Sequence, residues 1–413
     1  MDASPATANS SALSHRDFRR FLSASFLAIL AAQIQSVAVS WQIYSIARTP
    51  LALGYVGLFQ FLPMMACTIP AGHIADRFDR KLILVVSNLF TAVASGGFLM
   101  LALTRTTSIW PFYAVLMLFG AARAFAGPAA QSFVPMLVPY DQFPQAVAWN
   151  SSTSQVAVIA GPAIGGAIYI LGPAVDYGAC TILFVTIAIV MMSIRSRSAG
   201  YGAEADTTGF ERLTAGIAYV WRKPLILGAF SLDLFAVLLG GATALLPIYA
   251  RDILHVGPLG LGVLRSAPAL GAAILGLAIG QLALERRAGL AMFACVAIFG
   301  IATIVFGLSE NFALSMAALF VLGASDMVSV YVRATLTQLA TPDAMRGRVS
   351  AVNRLFVGAS NELGEFESGI TATWFGTVPA VVIGGVGTIV IVAVWYRLFP
   401  SLREVDRLSE VTP

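Results

Sequence analysis

The chain has 413 residues, of which 58% are hydrophobic and only 11% charged, with a formal net charge of +4 and a mean hydropathy of +0.82. So few polar side chains cannot cover the surface of soluble domains of that length, which excludes an ordinary water-soluble enzyme. The basic pI near 9.1 does not argue for a nucleic-acid partner, because excess Arg in a polytopic chain reports orientation in the membrane.

The first 14 residues are polar and lack an apolar core, so no cleavable signal peptide is expected. Twelve apolar runs follow, at about 19–46, 51–75, 82–104, 109–134, 145–171, 174–194, 225–250, 259–284, 289–308, 312–337, 349–375 and 378–399. Runs of about 20 apolar residues must be helices, since backbone groups in lipid have to bond within their own segment. The short alternating segments of a β-barrel are lacking. The fold class is therefore an all-α membrane protein with twelve transmembrane helices.

Between the second and third runs stands G-H-I-A-D-R-F-D-R-K, in which Asp76, Arg77, Asp79, Arg80 and Lys81 mark one membrane surface and Gly72 permits close helix approach. The longest polar break is residues 195–223. It supplies linker chemistry and then Thr208-x-x-Glu211, a capping-box pattern, with Phe210, Leu213, Ile217 and Val220 on one helical face. A flexible joint leading into a short amphipathic helix along the membrane surface is expected there. It divides the chain into 1–194, 195–223 and 224–413, with six runs on either side.

The two halves are related. P-L-A-L-G at Pro50–Gly54 aligns with P-L-G-L-G at Pro258–Gly262, and Gly72 with Gly280, without a gap. Gly120 pairs with Gly323, Pro139 with Pro342, Asn150 with Asn353, Gly161 with Gly364 and Gly166 with Gly369 in a second register. Of the 25 Lys and Arg, only Arg48, Arg105 and Arg251 fall on segments opposite the termini, and Arg123, Arg265 and Arg333 within spans. Both termini are accordingly expected in the cytoplasm.

The pattern G-x-x-x-D-R-x-x-R-K resembles the loop between helices two and three of the major facilitator superfamily of secondary transporters, with Asp79 where that family usually has a second glycine. Ala157-x-x-x-Gly161-Pro162-x-x-Gly165-Gly166 in the fifth run resembles the G-x-x-x-G-P-x-x-G-G motif of its exporter branches, Ala157 replacing the first glycine. Arg123 with Gly127 resembles the R-x-x-q-G pattern of the fourth helix, Ala126 replacing the glutamine. The N-terminal H-R-D-F-R-R-F and the T-P-D-A-M-R-G-R-V-S-A-V-N stretch look like the enterobactin-exporter-like branch. The resemblance implies two six-helix bundles related by a pseudo-twofold axis, rocking about a central cavity. It also implies a bacterial inner-membrane exporter coupled to protons, with Gly72, Asp76, Arg77, Arg80 and Lys81 as gating residues.

Candidate working residues follow from charge in apolar runs. Arg123, Asp233 and Asp326 lie on the helices that line the cavity in that family. Glu362, Glu365 and Glu367 crowd the eleventh run, and three carboxylates in six residues repel unless one is protonated or meets an Arg such as Arg265 or Arg333. Glu362 and Glu365 share a helical face, from which Glu367 points away. Either a structural Arg–Asp clamp or ligand and proton handling fits these residues. Gly161, Pro162, Gly165 and Gly166 serve helix packing. Trp41, Tyr44 and Tyr249 read as interface anchors.

Cys67, Cys180 and Cys295 and the histidines His15, His73 and His255 show no metal or disulfide spacing, and neither a nucleotide-binding loop nor a catalytic motif occurs. No enzyme activity, cofactor or metal is expected. The expected partners are a small-molecule substrate, protons and membrane lipid, with the chain acting as a monomer. An uptake symporter, a lipid-moving transporter of the same fold and a non-transporting sensor are the alternatives.

Overall fold

The computed structural model describes residues 11–195, 209–282 and 287–408. In the first half the helices are α1 (Arg16–Ala47), α2 (Pro50–Arg77), α3 (Arg80–Leu103), α4 (Trp110–Phe133), α5 (Phe143–Tyr169) and α6 (Pro173–Met192). Then come α7 (Gly209–Arg222), α8 (Pro224–Leu239), α9 (Leu246–Ile248), α10 (Gly257–Leu282), α11 (Ala288–Leu308), α12 (Phe312–Leu339), α13 (Asp343–Phe375), α14 (Thr377–Leu398) and α15 (Pro400–Arg403). A 3-10 turn, α9 and a π-helical turn at Tyr249–Ile253 extend α8 into the seventh span.

Local chemistry sets the boundaries. Proline stands in the first two positions of α2, α4, α5, α6, α8 and α15, where its missing N–H would be unpaired anyway. Asp79, the residue that departs from the family glycine, caps α3 by accepting from Lys81 N–H at 2.9 Å. Asn311 caps α12 through Leu314 N–H at 3.1 Å. Gly172 (φ 111°) and Gly376 (φ 90°) turn the chain between α5 and α6 and between α13 and α14, in a backbone region open to glycine.

Among the described residues, ten segments are long and apolar enough to cross a membrane. With α5 and α13 they make the twelve spans. Those two fall short on apolarity, α5 through its Asn150–Gln155 run and α13 through seven charged residues. The protein is a multi-pass membrane protein.

Two six-helix bundles result. In the first, α1 packs on α5 and α6, α3 on α4 and α6, and α2 on α4; in the second, α10 packs on α12, α11 on α12 and α14, and α8 on α13 and α14. The bundles meet along two seams, α2 against α13 and α5 against α10. We call the side where α1 begins and α14 ends the terminal face, and the opposite side the far face.

Near the far face the seams are close-packed through small residues. A Cβ built on Gly54 would lie 3.1 Å from Gly369 Cα, and Gly166 and Gly262 sit directly on the carbonyls of Pro258 and Pro162. Lipid tails are as apolar as the helices, so close approach of this kind and side-chain hydrogen bonds hold a membrane interface together. An apolar cluster of Val37, Tyr44 and Leu53 with Leu245, Tyr249, Leu264 and Ala372 joins both halves there. At the rim, Tyr44 OH donates to Asp252 Oδ2, Arg251 Nη1 donates to Ser45 Oγ at 2.7 Å, and the Arg251 guanidinium lies 5.7 Å from the Trp41 ring. Tyr44 is therefore a bridge between bundles. Tyr249 is fully buried and donates to Gly307 O at 2.8 Å, so it is a core residue, contrary to the interface-anchor expectation.

Helix α7 belongs to the second bundle. Val220 and Ile217 pack with Phe230, Val349 and Val352, and Tyr219 OH donates to Ala340 O at 3.2 Å. Thr208 and the side chains of Phe210, Glu211 and Leu213 lie outside the described residues, so the capping box is not described.

Candidate functional site

A cavity of about 590 Å³ lies between the bundles. Its walls come from α1, α3, α4 and α5 toward the terminal face, down to Phe21, Leu84, Val134 and Asn150. Toward the far face it is closed over by Ser40, Leu53, Thr243 and Ala244, under the close-packed seams. The first bundle contributes most of the lining, and much of it is neutral and polar: Gln33, Gln35, Gln60, Asn88, Thr91 and Ser154.

Four charges sit in this lining: Arg123 from α4, Arg265 from α10, and Glu362 and Glu365 from α13. Their three-residue spacing puts Glu362 and Glu365 on one face of α13. Both arginines act electrostatically on both carboxylates, yet no direct ion pair joins any of the four among the described residues. Arg265 Nη1 instead donates to Ser40 Oγ at 3.3 Å across the bundles. The exposed Arg123 guanidinium stands 5.9 Å from the Phe119 ring. Charges balanced in sum but unpaired in detail leave both a cationic and an anionic contact for a ligand, at a depth where either charge alone would be costly.

Gly57 of α2 explains how Glu365 fits. A Cβ there would fall 2.8 Å from Glu365 Cβ and Oε2 and 2.8 Å from Glu362 O, so the bare backbone makes the space for the carboxylate. Arg265, expected from sequence as a partner for these carboxylates, acts on both of them electrostatically, whereas Gly57 is not among the sequence candidates, although a signal for it exists. The gapless alignment of Pro50–Gly54 with Pro258–Gly262 continues to place Gly57 opposite Arg265. The two repeat-related positions close on one carboxylate, one by vacating space and the other by charge.

The remaining candidates fall elsewhere. Asp233 on α8 pairs with Arg333 on α12, both buried inside the second bundle. Neither lines the cavity, and Arg333 is occupied by Asp233 instead of the α13 carboxylates. Asp326 is half-buried on α12 and is also outside the lining. Glu367 accepts from Thr371 Oγ1 at 2.7 Å, away from the cavity.

Gly161 and Gly165 press on α1: a Cβ on Gly161 would lie 2.5 Å from Gln33 Cβ, and one on Gly165 2.8 Å from Ile34 Cα. Gly166 and Pro162 face α10 instead, so the one motif packs inside its bundle and across to the other. In the α2–α3 loop, Arg80 Nη1 donates to Ser132 O at 3.4 Å and Lys81 Nζ to Ile194 O at 2.5 Å, tying the loop to the ends of α4 and α6. Arg77 is exposed, a Cβ on Gly72 would meet nothing within 4 Å, and the Asp76 side chain lies outside the described residues. The close helix approach expected at Gly72 is thus absent in this state. No group of three His, Cys, Asp or Glu able to hold a metal occurs among the described residues.

Comparison with known proteins agrees with this architecture. The model of the transmembrane secretion effector family matches residues 7–412. The enterobactin exporter EntS of Citrobacter koseri is 26% identical over 340 residues, covering 82% of this chain and 81% of that protein, and EntS of Escherichia coli O157:H7 matches to the same extent. Among solved structures, a bacterial homologue of the human lysosomal transporter Spinster in an inward-facing, unoccupied conformation superposes with a TM-score of 0.75. It is 14% identical and covers 97% of this chain and 99% of its own. The nucleoside transporter NupG gives 0.73 at 14% identity, over 93% and 99%. The fold is that of major facilitator transporters, and the chain belongs to the transmembrane secretion effector family.

Proposed function

We propose that the protein is a proton-coupled exporter that moves a small organic molecule, such as a drug, siderophore or metabolite, out of the bacterial cytoplasm by alternating access. The observation that carries the reading is the inter-bundle cavity, closed toward the far face and holding Arg123, Arg265, Glu362 and Glu365. The concentration of Lys and Arg on the terminal face supports a cytoplasmic location for that face and for both termini, with the chain in a bacterial inner membrane. The cavity then loads from the cytoplasm, the first half of an export cycle. The relatives named as enterobactin exporters support the same direction.

Glu362 and Glu365 are the proposed proton carriers: a ligand that takes their arginine or hydrogen-bonding partners, or that competes with protons for them, links its own passage to proton exchange. Asp326, half-buried on α12 outside the cavity lining, is a further proposed contributor to proton handling. The loop from Gly72 to Lys81, with Asp76, is the proposed cytoplasmic gate, and Gly161, Pro162, Gly165 and Gly166 are the proposed pivot against α10. The whole path lies within one chain, so a monomer suffices.

The test is transport in everted membrane vesicles with a panel of catecholate, cationic and neutral amphiphilic compounds. An exporter accumulates its substrate only while a proton gradient is present, and a protonophore abolishes the signal. Accumulation that ignores the gradient, or that is driven only in right-side-out vesicles, would refute proton-coupled export.

A further inference from the structure

A second cavity, of about 350 Å³, lies at the terminal face where α1 begins, α6 ends and α4 passes into α5. It shares no residue with the central cavity. Its charged wall is Arg16, Arg20 and Arg195 against a single carboxylate, Asp17, and Met136 and Leu137 form an apolar wall.

The internal bonds of this pocket use up the acid and leave the bases. Asp17 is held by Arg20 at 3.4 Å and by the backbone N–H of Arg195 at 3.1 Å, while Arg20 also donates to Ser193 O at 2.6 Å. The guanidinium groups of Arg16 and Arg195 are exposed and make no ion pair or hydrogen bond among the described residues. His15 turns its ring to Gln142, at 3.0 Å, and gives α1 no side-chain cap. The positive end of the α1 dipole faces this pocket as well, opposite the negative end of α6, whose Ser193 carbonyl is taken by Arg20. Two free guanidiniums, a buttressed third and an apolar wall, all at the level where spans leave the membrane, match a phosphate with a short apolar attachment. Arginine is suited to it because its fork of donors pairs phosphate oxygens two at a time.

We infer that this pocket binds a phosphate-bearing anion, with Arg16 and Arg195 as its direct contacts. The shared chemistry is the phosphate group, carried either by an anionic phospholipid headgroup or by a soluble phosphate ester. Basic pockets between spans on the inner face of a membrane protein are a recurrent setting for the first source.

The experiment uses the full chain purified in detergent. Native mass spectrometry titrates phosphatidylglycerol and phosphatidylcholine of the same acyl composition, and thermal shift titrates glycerol 3-phosphate and inorganic phosphate. Phosphatidylglycerol is expected to bind in preference to phosphatidylcholine, and R16Q/R195Q to weaken it about 30-fold, the product of two surface Arg contacts. R16K/R195K keeps most of the affinity, and R48Q/R105Q, on the far face, keeps all of it. Protection by glycerol 3-phosphate that R16Q/R195Q abolishes also supports the pocket and identifies a soluble source. Equal binding of every probe to the wild type and to R16Q/R195Q overturns the inference. Both substituted side chains are exposed, and matching helical circular dichroism of the variants confirms that the comparison is between folded proteins.

Discussion

Removing one partner of the Asp233–Arg333 pair is the sharpest test of how charge is divided in this molecule. Both side chains are buried, with 5% and 4% of their surface exposed, and they link α8 to α12 inside one bundle. Asp233→Ala leaves the Arg333 guanidinium without its counter-charge in a site that cannot solvate it, a loss of about 3 to 5 kcal/mol. Replacing both, as Asp233→Leu with Arg333→Met, removes the charges together and fills similar volume. That double variant is expected to recover to within about 1 kcal/mol of the wild type, since apolar replacements of buried pairs are often neutral. Stability is read from reversible unfolding in mixed micelles, and function from gradient-driven accumulation in everted vesicles. If the pair is a clamp, the double variant transports. A D233A variant that loses less than about 1 kcal/mol, or a stable double variant that no longer transports, would refute this division and return Asp233 to the coupling machinery.

Glu362→Gln with Glu365→Gln is expected to leave the protein folded and to reduce gradient-driven accumulation to background, checked by comparing transport with and without a protonophore. Gly57→Ala should lower both stability and transport, because the new Cβ falls 2.8 Å from Glu365 Cβ and Oε2; overpacking of this kind costs about 1 to 3 kcal/mol. Gly358→Ala on the same seam, where the nearest atom is the flexible end of Met64 at 3.6 Å, should be silent in the same assays. Tyr44→Phe with Arg251→Gln removes two rim hydrogen bonds, about 1 to 3 kcal/mol in total. Spin labels at Thr107 and Glu310, on opposite bundles at the far face, should then report a larger population of long distances; an unchanged distribution would show that the rim bonds do not hold this state.

The architecture was legible because lipid imposes a simple rule, and the twelve runs, the tight loop and the duplicated halves followed from it. Charge depth was legible too, since Arg123, Glu362 and Glu365 are conspicuous in apolar runs. What sequence could not separate was charge facing the cavity from charge facing a neighbouring helix. Asp233 looks like Glu362 on a hydropathy plot, and only packing shows that α12 brings Arg333 to it. Gly57 is hard to read for the opposite reason: the repeat alignment sets it opposite Arg265, but its contribution is an absence of side chain that has meaning only against Glu365. The Asp79 departure from the family pattern had a local explanation, the α3 cap, which cap geometry rather than motif matching would find.

Helix α13 carries seven charged residues over its length and fails the apolarity that ten other segments meet. During synthesis such a segment has little tendency to partition into lipid by itself, since ionisable side chains such as Glu362, Glu365 and Glu367 near the middle of a span oppose insertion. It must enter against partners already in place, and α8 and α2 are the surfaces it packs on. Biogenesis of the second half is thus tied to completion of the first, so a truncated chain holding only the second bundle should leave α13 outside the bilayer and expose it to proteolysis.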